Sequence, residues 1–118
     1  MYKDFHELQI WQDGYSLLME IYIITELFPD FEKYSLVSQM TRSANSVIAN
    51  IAESHGRYYF KDKVRVLYIS RGEITETRSH LAVAFGRKYI DKTKFVELND
   101  KYKQLSKDLN LYINSLKQ

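Results

Sequence analysis

Seven apolar residues near the C-terminus, Phe95, Leu98, Tyr102, Leu105, Leu109, Tyr112 and Leu116, are separated by steps of 3, 4, 3, 4, 3 and 4. An α-helix places such residues on one stripe, because its 3.6-residue turn returns the chain to the same face every three or four positions. A stripe this regular must be covered by other helices, so the remainder of the chain is expected to supply them.

It supplies three. Before Pro29, Leu8, Trp11, Tyr15, Leu18, Tyr22 and Thr25 form one row and Ile10, Gly14, Leu17, Ile21 and Ile24 a second beside it. Two adjacent rows predict a helix with one face in its own bundle and another offered to a partner chain. A second helix is expected after Ser35, a candidate cap, with Leu36, Met40, Ala44, Val47, Ile51 and Ala52 inward and an end near His55-Gly56. A third carries Phe60, Val64, Leu67, Ile74, Leu81 and Phe85, with Arg71 and Arg78 in the same row. It also carries a ridge of small residues, Gly72, Thr75, Ser79, Ala82 and Gly86, which predicts a tight helix contact, as does Gly14. Asp91 suits the N-cap of the fourth helix. The expected spans are 8–27, 35–55, 60–87 and 92–116 within one domain, 1–118. The fold class is therefore all-α, an antiparallel up-down-up-down four-helix bundle.

One domain agrees with 118 residues, and 45% apolar with 27% charged residues argues against disorder. No apolar run reaches the ~20 residues of a membrane span, and the N-terminus lacks the order of a secretory signal. A cytoplasmic protein with no membrane association is expected. The absence of cysteine excludes disulfides, thiolate metal sites and cysteine nucleophiles.

Bundles of this kind often hold di-iron centres through Glu-x-x-His motifs. Here the positions three before His6, His55 and His80 are Lys3, Ala52 and Thr77, so the motif is absent. Glu73, Glu76 and His80 could at most bind a divalent ion weakly, and neither a metal nor another cofactor is expected. No Gly-x-Ser-x-Gly elbow or glycine-rich phosphate loop occurs, so catalysis is not expected either.

The second helix also bears a polar row, Gln39, Arg42, Ser46, Asn50, Glu53 and Arg57. It is a solvated face, a ligand face, or a structural network fixing register against a neighbour. Half-buried polar groups need partners, and Glu73 and Glu76 are natural ones for Arg42. Charge is divided along the chain: residues 1–56 hold three basic and eight acidic groups, net −5, and residues 57–118 fourteen and seven, net +7. Arg57, Tyr58, Tyr59, Lys61, Lys63 and Arg65 crowd at the connection between the second and third helices. Cations there can neutralise phosphates and aromatic faces can stack unpaired bases, so these six are candidate contacts to RNA or DNA. Alternatively, Tyr58 to Phe60 cover the end of the core while the lysines keep it soluble.

These residues resemble a known family. Phe5 to Trp11-Gln12, Phe28-Pro29-x-x-Glu32-x-Tyr34-x-Leu36, Gln39-x-x-Arg42, Asn50-Ile51-Ala52-Glu53 with Gly56-Arg57, and Gly72 with Glu76 resemble the 23S rRNA intervening-sequence proteins of bacteria. The chain departs from them at Ser54, where Gly is usual, and at Glu73, where Ser is usual. The resemblance implies a four-helix bundle assembled as a ring-like homopentamer, with no established enzymatic activity. It also implies kinship with the accessory variability determinant proteins of diversity-generating retroelements, which bind a reverse transcriptase and nucleic acid through a basic surface. The expected function is a non-catalytic, nucleic-acid-associated oligomer. The alternative is a protein–protein adaptor docking a reverse transcriptase or a ribosomal partner.

Overall fold

Side-chain caps mark some of the helix starts and are missing at others. The computed structural model describes residues 3–117, so Met1, Tyr2 and Gln118 of the expected single domain lie outside the described residues. Asp4 and Glu7 close a capping box around a 3-10 turn, Phe5–Glu7, with Asp4 N–H donating to Glu7 Oε1 at 3.0 Å. Helix α1 (Gln9–Thr25) follows. A second 3-10 turn, Asp30–Glu32, leads into α2 (Leu36–Gly56). Ser35 occupies the N-cap of α2 without a side-chain cap bond; the Glu32 carboxylate instead accepts from Leu36 N–H at 3.4 Å. After α3 (Phe60–Gly86) the chain turns, and Asp91 caps α4 (Lys92–Leu116) by accepting from Lys94 N–H at 2.8 Å. The described residues contain four α-helices and no strand.

The α3 C-terminus shows how a turn can sit on a suboptimal residue. Tyr89 N–H donates to Ala84 C=O and Lys88 N–H to Phe85 C=O, both at 2.9 Å, which is the Schellman pattern. Lys88 therefore adopts φ 64°, a left-handed conformation that glycine accepts more readily. Lys88→Gly is expected to stabilise the fold by about 0.5–1 kcal/mol, since relief of left-handed strain of ~1–2 kcal/mol outweighs glycine's added unfolded-state entropy. Urea denaturation checks the sign.

The core follows the apolar rows. Ile21, Met40, Ala44, Val47, Leu67, Ile74, Leu81, Leu98, Tyr102 and Leu109 are wholly shielded, and each large aliphatic side chain there contributes about 1.5–3 kcal/mol. Burial raises the pKa of the Tyr102 hydroxyl, which finds no hydrogen-bond partner among the described residues. Between α2 and α3, small buried hydroxyls replace bulk: Ser43 and Thr77 pair at 2.8 Å and Ser70 donates to Val47 C=O at 2.7 Å. Arg71 and Arg78 leave the apolar row of α3 and reach Asn110 at 3.0 Å and Asn99 at 2.8 Å on α4. Lys101 bridges to Glu20 of α1, and Tyr89 donates to Glu32 at 2.8 Å, tying together the α1–α2 and α3–α4 connections. These pairings are compatible with an up-down-up-down course.

Two small-residue features separate in the structure. A Cβ on Gly14 would lie 2.5 Å from Ile48 Cγ2, so α1 and α2 do meet closely there. Gly14→Val should destabilise by about 1–3 kcal/mol through overpacking, read from denaturant midpoints. The ridge on α3 makes no such contact within the subunit: Gly72, Thr75, Ser79, Ala82 and Gly86 are all exposed, and a Cβ at Gly72 or Gly86 meets nothing within 4 Å. The reason is angular. The ridge lies roughly opposite Ile74 and Leu81, which point into the core. Phe60 and Phe85, at the two ends of the α3 row, are also exposed.

Candidate nucleic-acid interface

The connection between α2 and α3 is three residues long, Arg57 to Tyr59, and its shape is set by Lys63. That ammonium donates to the carbonyls of Ser54 at 3.3 Å and His55 at 2.9 Å, satisfying the end of α2. Ser54 is buried and returns a bond to Lys63 C=O at 2.8 Å. Lys63 is thus a clamp on the turn, with its donors turned inward. Arg57 is half-buried and bonds Glu53 at 2.6 Å, which holds its pKa above the ordinary arginine value.

The remaining four candidates face solvent. Tyr58 and Tyr59 are 87% and 68% exposed and meet edge to face at 5.0 Å. They do not cover the end of the core. Lys61 and Arg65 stand one turn apart on the exposed face of α3, and neither is ion-paired among the described residues. This end of the subunit therefore presents two open aromatic rings beside two unneutralised cations.

The sequence reading missed a further group. Tyr68 lies two turns along from Lys61, with the Arg71 guanidinium 4.7 Å from its ring centroid and Lys117 Nζ 3.1 Å from its hydroxyl. The α3 spacing of Lys61, Arg65 and Tyr68 was a signal for this stripe. The approach of Lys117 is a tertiary fact that no local pattern carries.

The polar row of α2 divides in two. At one end Arg42 takes Gln39 at 3.4 Å, Glu73 at 3.5 Å and Glu76, crossing from α2 to α3. At the other the bonds stay local, Asn50 to Ser46 C=O at 2.8 Å and Arg57 to Glu53. Glu76 also meets His80 at 3.3 Å, so a guanidinium already occupies the carboxylates considered for a divalent ion. Among the described residues no three His, Asp or Glu side chains are grouped to hold a metal. Nor is any of their helices long and apolar enough to cross a membrane.

The sequence profile of the 23S rRNA-intervening sequence protein family matches residues 6–111, spanning all of α1 to α3 and most of α4. The chain belongs to that family. In structure, this family member is similar to a protein of unknown function from the S23 ribosomal protein family of Bacteroides thetaiotaomicron. The TM-score is 0.80 at 22% identity, over 88% of this chain and 97% of that one, a likeness of fold. No curated protein matches the sequence.

Within this intervening-sequence protein the Arg42 cluster gives a pH signature. Burial and then the Arg42 charge lower the His80 pKa below its ordinary 6.5, while its Nε2 lies 3.3 Å from Glu76 Oε2. The unfolded chain binds that proton more readily, so this contribution to stability is full above about pH 6.5 and is lost as pH falls through the lowered folded value. The melting temperature should drop on acidification from pH 7 to 5.5, with a shallower drop in His80→Gln.

Proposed function

We propose that this intervening-sequence protein is a non-catalytic, cytoplasmic oligomer that associates with RNA or DNA through the basic, aromatic α2–α3 ends of antiparallel up-down-up-down bundles. The observation that carries this reading is the exposure of Tyr58 and Tyr59 beside Lys61 and Arg65, none of which is engaged in the core. Cations without carboxylate partners release bound counterions when they meet phosphate, and open rings stack unpaired bases. The family's intervening-sequence name fits an RNA-linked role.

Oligomerisation is supported by α1. Its row Ile10, Gly14, Leu17, Ile21 and Ile24 is buried, whereas Tyr15, Tyr22 and Ile23 are 45%, 45% and 64% exposed. On α2, exposed Ala49 and half-buried Ala52 are small enough for a second helix to approach. A homopentameric ring, as the family resemblance implies, would repeat each weak basic end five times and gain avidity.

A second reading is an adaptor docking a reverse transcriptase or a ribosomal component. It is favoured by Leu27, Phe31 and Tyr34, large apolar side chains that stand exposed at the α1–α2 connection. Electrophoretic binding to structured RNA and DNA over a salt series tests the first reading, which requires binding that weakens steeply with salt. Association that is absent or indifferent to salt removes it. A protein partner retained after nuclease digestion supports the adaptor.

A further inference from the structure

Between the start of α3 and the end of α4 lies an open groove of about 390 Å³, lined by Phe60, Lys61, Val64, Arg65, Tyr68 and Lys117. We propose that this groove is a nucleotide subsite, in which an unpaired base of single-stranded nucleic acid stacks on Tyr68 while Lys61, Arg65 and Lys117 neutralise the adjoining phosphates. The inference rests on the nucleic-acid reading above and deepens it by naming where a base is held.

The occupant follows from the lining. Three of the six residues are cationic and none is acidic, which selects an anion. Phe60, Val64 and the ring of Tyr68 are apolar, which selects an anion that also carries a flat hydrophobic group; a nucleotide has both. The volume lies within the ~300–1,000 Å³ of small-ligand clefts, and the open shape lets a strand run through.

Tyr68 is also held ready. Arg71 sits 4.7 Å from its centroid and is itself fixed by Asn110 at 3.0 Å, while Lys117 donates to the hydroxyl at 3.1 Å. The ring remains 40% exposed. An aromatic platform positioned before the ligand arrives loses little freedom on binding, and this favours affinity.

The groove is separable from the α2–α3 turn by experiment. Fluorescence anisotropy on the full chain, with oligouridylate, oligothymidylate and a duplex of equal length, compares wild type with Tyr68→Ala, Tyr68→Phe, Lys117→Ala and the paired variant Tyr58→Ala plus Tyr59→Ala. Melting curves check that each variant is folded. Tyr68→Ala should weaken single-strand binding about 5- to 150-fold, the effect of losing one stacked base, and leave duplex binding unchanged. Tyr68→Phe keeps the π-face and should bind far more tightly than Tyr68→Ala, losing only the hold that Lys117 gives the hydroxyl, whereas a role carried by that hydrogen bond alone would make the two variants equally weak. Lys117→Ala should reduce the single-strand salt slope by about 0.7. Wild-type binding that survives Tyr68→Ala but fails in the Tyr58, Tyr59 variant overturns the groove and leaves the parent reading intact. Tight, Tyr68-dependent binding of a polyglutamate peptide overturns it in favour of an acidic protein partner. No binding of any oligonucleotide by the wild type removes both.

Discussion

Reversing the charge at Lys61 and Arg65 together, Lys61→Glu with Arg65→Glu, is expected to lower affinity for single-stranded RNA by about 100-fold at ~0.15 M salt. Each phosphate neutralised on a single strand contributes about 0.7 to the slope of log affinity against log salt. Two reversals remove two attractions and add two repulsions, so the swing is worth roughly two decades at that salt. Both side chains are exposed and free of carboxylate partners among the described residues, so the fold should survive. Lys63→Ala makes the instructive contrast. Its ammonium closes the end of α2 through Ser54 and His55, so its removal should lower stability while binding changes little. Filter binding at three salt concentrations distinguishes the two. Unchanged affinity in the Lys61, Arg65 variant would contradict the assignment.

The second large effect concerns assembly. Tyr15→Asp with Ile23→Asp is expected to leave the chain monomeric at micromolar concentration, where the proposed assembly predicts an oligomer for the wild type. Covering an apolar side chain of this size is worth about 1.5–3 kcal/mol, so each interface loses about 3–6 kcal/mol, or some two to four decades of association. Both residues face solvent in the single subunit, so helical content should be retained by circular dichroism. If the basic ends act together, the monomeric variant should also lose RNA affinity beyond what one subunit's charge explains. A variant that stays assembled would place the interface elsewhere, for instance on the exposed small-residue ridge of α3.

What could be read from residue order was whatever the 3.6-residue period and the caps encode. The α4 stripe and Asp91 are local signals: Leu98, Tyr102, Leu105 and Leu109 are buried and Asp91 caps as its chemistry dictates. The α3 ridge gave no tight contact within the subunit because small residues at helical spacing describe a smooth face without saying which way it turns. Gly14 differed because it lay inside an apolar row, where closeness to another helix was already required. For the candidate site, composition located the α2–α3 end but could not assign its side chains. Whether a lysine points outward like Lys61 or clamps a helix end like Lys63 depends on carbonyls left open by the preceding helix. The groove at Tyr68 joins residues 49 positions apart, and such a juxtaposition exists only once α3 and α4 have packed.

Light scattering on the wild-type chain, alone and mixed with a short structured RNA, measures directly whether assembly multiplies the weak cationic ends. The predicted result is a particle of about five times the 14.1 kDa chain that keeps its protein mass when it takes up RNA. A 14.1 kDa species in dilute solution, or RNA bound to single subunits one at a time, would contradict it.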